Sequence, residues 1–140
     1  MPSAGAAARD RRDEPERDVR IAATLPRLPL AAATARGLVR RELGDVLAGE
    51  TLDDVLLVVS ELATNAVLHG AGEIQLRLAY DGERIAGAVS DQGPAFAVAA
   101  EPRAAECGPG GRGLFIVGRV SKRWGMRDES ASVWFEIPAR

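Results

Sequence analysis

A glutamate and an asparagine stand four residues apart in Val58-Val59-Ser60-Glu61-Leu62-Ala63-Thr64-Asn65-Ala66-Val67-Leu68-His69-Gly70, inside an otherwise apolar run. Four residues is about one helical turn, so both side chains leave the same side of a helix. A carboxylate there can take a proton, and a carboxamide oxygen beside it is a neutral ligand for Mg2+. Stepping about 100° per residue, Leu52, Val55, Leu56, Val59, Leu62, Ala63, Ala66 and Val67 fall on one arc. Glu61, Asn65 and His69 stack along the edge of that arc. Polar groups bordering a buried face are where a helix presents side chains to a ligand. The plainer reading of Glu-x-x-x-Asn alone is a hydrated helix edge.

Two further segments carry possible chemistry. In Ser90-Asp91-Gln92-Gly93-Pro94 an aspartate leaves a strand just before a glycine. The backbone can bend sharply there and turn the carboxylate into a pocket, where it would accept a hydrogen bond from an exocyclic amine such as adenine's. A surface turn has the same sequence. In Gly108-Pro109-Gly110-Gly111-Arg112-Gly113-Leu114 a glycine-rich stretch runs into a helix. Backbone N–H groups at such a helix N-terminus converge on phosphate, and Arg112 would add a charge-assisted contact. A flexible linker reads the same way. The Gly-Lys-Ser/Thr ending of a P-loop is missing, and no G-x-G-x-x-G follows the first strand, so neither P-loop nor dinucleotide chemistry is indicated.

The elements that must position these groups follow from periodicity. Val19 to Leu25 reads as a strand, ended by Pro26 and Pro29, and Leu30 to Leu47 as an Ala-rich helix. Thr51 is the expected N-cap of the helix carrying Glu61 and Asn65, with Gly70 just past its end. Alternation gives a strand at Ile74 to Tyr80, the Asp81-Gly82 pair a hairpin, and Arg84 to Ser90 an antiparallel return strand. Residues 92–111 read as a long loop, Gly113 to Lys122 as a helix, and Trp124 to Arg127 and Ser132 to Ile137 as closing strands. The expected fold is α+β: a two-layer sandwich of a mixed, mostly antiparallel sheet with about three helices on one face.

Composition narrows the setting. The chain has 140 residues, 46% hydrophobic and 27% charged, enough for one domain with a real core. A net charge of −2 gives no basic excess for nucleic acid. One cysteine, Cys107, and one histidine, His69, exclude an internal disulfide and a multi-histidine metal site. No apolar run reaches the roughly 20 residues of a membrane span, and no secretory signal is evident, so a cytoplasmic location is expected. Residues 1–18 are rich in Ala, Arg, Asp and Glu and read as a disordered tail before a domain over 19–140.

Taken in their fixed order, the three motifs resemble the GHKL ATP-binding superfamily of gyrase-type, histidine-kinase and MutL-type ATPases. Glu61 through Gly70 looks like the N box of its anti-sigma-factor serine/threonine kinase branch. Asp91-Gln92-Gly93-Pro94 resembles the first glycine box and Gly110-Gly111-Arg112-Gly113-Leu114 the second. Ser132-Val133-Trp134-Phe135 is similar to the closing strand, where the family often has Thr-Val-Trp. The resemblance implies ATP and Mg2+ as ligands, with Glu61 as general base and Asn65 on Mg2+. It also implies Asp91 on the adenine amine, with Gly93 letting the base sit close. Gly111, Arg112, Gly113 and Leu114 would lie at the phosphates, Ser132 near the adenine, and residues 94–110 in a lid. The implied partners are a sigma factor and an antagonist protein phosphorylated on Ser or Thr, with a second copy of the chain as a further possibility. His69 is not set up as a phospho-acceptor and reads as a helix C-terminal group. Pro94-Ala95-Phe96 follows Gly93 where the family often continues to a second glycine. That departure keeps a catalytically idle, nucleotide-sensing binding module open as the alternative.

Overall fold

The computed structural model describes residues 18–47, 49–93, 109–127 and 131–139, with only the backbone placement of 109–113 and 131. The expected tail, apart from Asp18, and the expected lid lie outside the described residues, except that 109 and 110 belong to a helix. Five strands form one sheet: β1 (Val19–Leu25), β2 (Ile74–Tyr80), β3 (Arg84–Asp91), β4 (Arg123–Arg127) and β5 (Ala131–Pro138). Three helices accompany them: α1 (Ala31–Leu43), α2 (Gly49–His69) and α3 (Pro109–Val120). The strand order is β1-β2-β3-β5-β4 and every neighbouring pair is antiparallel. This is the expected α+β sandwich, with a sheet that is wholly antiparallel among the described strands.

Strict alternation creates the core face. Ile74, Leu76, Leu78 and Tyr80 of β2 are buried, as are Val133, Phe135 and Ile137 of β5. Helix α2 lies centrally in the second layer, packing against α1, α3 and the inner face of β3 and β5. Enclosure from several sides explains why its buried set exceeds one arc: Val58 is fully buried although it lies off the expected stripe. Gly87 faces Phe135 across β3 and β5, and a Cβ there would run into Leu78 and the Phe135 ring. The missing side chain at 87 makes room for the largest fully buried residue of the core.

Local chemistry moved three boundaries. Gly49 enters α2 at a φ of 53°, so that helix begins two residues before Thr51, which lies inside it and is not the cap. Helix α3 starts at Pro109, whose fixed φ suits a first helical position, so the glycine run forms its opening turns and is not a preceding loop. Helix α1 ends at Leu43; Gly44 and Leu47 continue as a turn, with the Leu47 N–H donating to the Leu43 carbonyl and its side chain buried. In the β2–β3 hairpin the Asp81 carboxylate accepts from the Glu83 and Arg84 amides, which holds its pKa below the usual carboxylate value.

Phe135→Ala should cost about 3–5 kcal/mol of stability through the cavity it leaves. A urea titration would show a lower midpoint at an unchanged slope. A shift worth less than about 1 kcal/mol would contradict the central role given to this ring.

Candidate functional site

The site is built where the end of α2 meets the end of β3. Asn65 is only 2% exposed, deeper than a helix edge, while Glu61 one turn earlier is half-buried and His69 one turn later is exposed. The buried Asn65 Oδ1 has no hydrogen-bond partner among the described residues. An orphaned buried acceptor costs about 1–3 kcal/mol, so its retention points to a donor or cation that completes it.

Five residues further on, about 7.5 Å along the helix axis, α2 gives way to Gly70. Here two segments far apart in sequence are joined atom to atom. The Asp91 Oδ1 accepts from the Gly93 amide at 2.7 Å and from the Ala71 amide at 3.4 Å. Next to it, the Gln92 amide donates to the Ala71 carbonyl at 2.8 Å, and Gln92 Oε1 accepts from the Glu73 amide at 3.0 Å. A Cβ on Gly70 would collide with the Asp91 carboxyl group, and one on Gly72 would collide with Gln92. At Gly93 a Cβ would sit 3.0 Å from the Ala71 nitrogen and 3.1 Å from Asp91 Oδ1. Three glycines thus let the Asp91-Gln92-Gly93 turn lie against the end of α2.

Arg27 clamps the same corner from the other side. Its Nη1 donates to the Ala66 carbonyl at 2.8 Å and the Val67 carbonyl at 3.3 Å, and its Nε donates to Gly72 at 2.7 Å. The Ala66 carbonyl also accepts from the Gly70 amide at 2.9 Å, so the guanidinium supplements that bond, adds a donor to the Val67 carbonyl and suits the negative end of the helix dipole. Its Nη2 is buried and unpartnered among the described residues. Sequence reasoning missed Arg27. Its signal was faint: a cation between Pro26 and Pro29, in a segment whose conformation two prolines restrict. Arg36 adds a smaller tie from α1, donating to Ser60 Oγ at 2.7 Å beside Glu61.

The remaining expected residues divide. Gly111, Arg112 and Gly113 lie in the opening turns of α3, which packs beside α2. Leu114 is 3% exposed, so its side chain belongs to the core and not to a ligand surface. Ser132 pairs with Ser90, whereas Asp91 pairs with Ala131. Alternation along a strand then puts Ser132 and Asp91 on opposite faces of the sheet, so the structure does not bring that hydroxyl to Asp91. Among the described residues no three His, Cys, Asp or Glu side chains are gathered into a metal site. A cation at Asn65 would therefore take its other oxygens from a ligand or from water, the pattern expected for Mg2+. The orphaned Asn65 Oδ1 fits that role.

One two-layer sandwich thus combines a buried Asn on its central helix, an Asp turn locked to that helix's end and a glycine-rich helix start. The histidine kinase-like ATPase domain family matches residues 21–136, and the chain belongs to that family. Domains of this kind bind ATP, usually with Mg2+. No match among curated proteins was found. No helix among the described residues is long and apolar enough to cross a membrane.

Gly70→Ala should push the Asp91 carboxylate out of its seat and weaken adenine-nucleotide binding by tenfold or more, while circular dichroism still reports a folded domain. Wild-type affinity in this variant would show that the close approach of Gly70 and Asp91 does not matter for binding.

Proposed function

We propose that this domain binds ATP with Mg2+ and transfers the γ-phosphate to a serine or threonine of a partner protein, as in the anti-sigma-factor kinases it resembles. The observation that carries the nucleotide part is the buried Asn65 Oδ1, unpartnered among the described residues, near the Asp91–Gly70 corner. Asn65 would hold Mg2+, which when bound neutralises phosphate charge during transfer. Asp91, fixed by the Ala71 and Gly93 amides, has a carboxylate that can accept a hydrogen bond from the adenine amino group. The amides at the first turn of α3, Gly110 and Gly111 among them, precede the i→i−4 ladder and are available to phosphate oxygens.

Glu61 shares the Asn65 side of α2 and is only half-buried. It would accept the proton released by the attacking hydroxyl of the partner protein. In the balanced step that hydroxyl oxygen bonds to the γ-phosphorus as the bond to the β-phosphate oxygen breaks, leaving ADP and a phosphorylated side chain. A sigma factor and its antagonist are the partners this reading implies, in a cytoplasmic setting. A second reading is favoured by Pro94-Ala95-Phe96, which replaces a second glycine after Gly93. In that reading the domain senses nucleotide and holds a partner without transferring phosphate.

Calorimetric titration with ATP and ADP in Mg2+ should show binding that weakens at least tenfold in Asn65→Ala and in Asp91→Ala. Absence of wild-type binding at millimolar nucleotide would overturn the nucleotide site. With radiolabelled ATP on a serine/threonine peptide array, Glu61→Ala should lose labelling yet keep nucleotide affinity. Undiminished labelling by that variant would remove Glu61 from the mechanism, and no labelling by the wild type would favour the idle module.

A further inference from the structure

The sheet has a second face that no described helix covers, and its chemistry is unlike the rest of the chain. Alternation opposite the core set places Arg20, Arg77, Arg84, Arg123 and Arg127 on this face, with Glu136 as its single strand carboxylate. Five strand guanidinium groups against one strand carboxylate, with Asp18 just before β1, leave a basic face on a protein of net charge −2. Glu136 already lies 3.8 Å from Arg84 and 3.7 Å from Arg123, and Arg20 faces Asp18 at 3.8 Å. Arg77 and Arg127 have no carboxylate within 4 Å among the described residues.

Between the arginines the surface is apolar and low. Ala22, Ala79, Ala86 and Ala88 floor a depression of about 410 Å³ that Trp134 borders. The Trp134 indole lies across Gly125 on the edge strand, where a Cβ would come within 2.9 Å of the ring. Gly125 therefore lets the indole lie flat. The alanines sit on β1, β2 and β3, and two interstrand spacings of about 4.8 Å give a floor roughly 10 Å wide. That is the diameter of an α-helix with its side chains.

We propose that this face docks an acidic amphipathic helix of a partner protein, its apolar stripe on the alanine floor and Trp134 and its carboxylates on Arg77 and Arg127. Charge decides between occupants. A second copy of the chain would oppose five guanidinium groups with five more, which disfavours self-pairing through this face. A single-stranded nucleic acid would find one aromatic ring where sequence-tolerant binding uses a series of stacking platforms. Carboxylates on a helix match the rim, because guanidinium groups take them in paired hydrogen bonds. The docking face stands apart from the nucleotide reading, since Asp91 lies on the opposite, helix-facing side of the sheet.

The test uses the full chain labelled with nitrogen-15 and a synthetic 20-residue helix carrying a Leu/Ala stripe flanked by glutamates. Three controls accompany it: the same composition scrambled, a lysine-for-glutamate version and a 20-nucleotide dT strand. The glutamate helix should shift the amides of Ala22, Ala79 and Ala88 and the Trp134 indole, and added Mg2+·ATP should not displace it. In Arg77→Glu/Arg127→Glu, both exposed or edge positions, affinity should fall at least tenfold with an unchanged melting temperature. The scrambled peptide should bind at least tenfold more weakly. Any of four outcomes overturns the proposal: no binding at 1 mM peptide, equal binding by the scrambled peptide or the double variant, shifts confined to the helical layer, or preferential binding of the dT strand. Sedimentation showing that the free chain pairs through this face, with pairing lost in the double variant, would also overturn it.

Discussion

The arrangement depends on one junction, where the end of the central helix is sewn to the end of β3. Asp91 and Gln92 reach Ala71 and Glu73 through three hydrogen bonds, and Arg27 binds the last carbonyls of α2 from the opposite side. These partners are about twenty to forty residues apart in sequence, so the junction forms only when the sheet and helix layer have closed. Asn65 lies little more than a turn from it. Its orphaned oxygen is held in the interior by the same closure that seats Asp91. A buried polar group without a partner is a stability cost that a fold keeps only where a ligand or function repays it.

The two faces of the sheet divide the labour of the sequence. Large aliphatic residues and Phe135 face the helices and supply the core. The opposite face uses alanine, glycine and arginine, which contribute little burial but leave a shallow floor under fixed positive charge. An antiparallel sheet tolerates this asymmetry, because one face can be solvated without loss of ladder hydrogen bonds. Gly87 and Gly125 mark the contrast: one makes room for a core ring, the other for an indole on the free face.

Much of this was legible in the residues. The strands β1 and β2 and the close of α2 at Gly70 fall where alternation and glycine chemistry put them, because both signals are local. The starts of α2 and α3 were not, since a positive-φ glycine and a helix-opening proline outweighed the hydroxyl and glycine signals nearby. Glu61 and Asn65 were visible as a spaced pair, but burial of Asn65 depends on α2 being enclosed from several sides. Val58 was missed for the same reason. Arg27 was invisible because its function rests on carbonyls some 40 residues away. Ser132 shows the limit of matching a motif: one step of strand register separates it from the face that Asp91 occupies.

The most direct test of the central claim is paramagnetic: Mn2+·ATP added to nitrogen-15-labelled protein, with Mn2+ standing in for Mg2+. The account predicts that the Asn65 side-chain amide broadens first and strongly. The amides of Ala71 and Gly93 should follow, while those of Ala22 and Ala79 on the free face stay sharp. An Asn65 signal that survives saturating Mn2+·ATP, or broadening confined to the arginine-rich face, would contradict it.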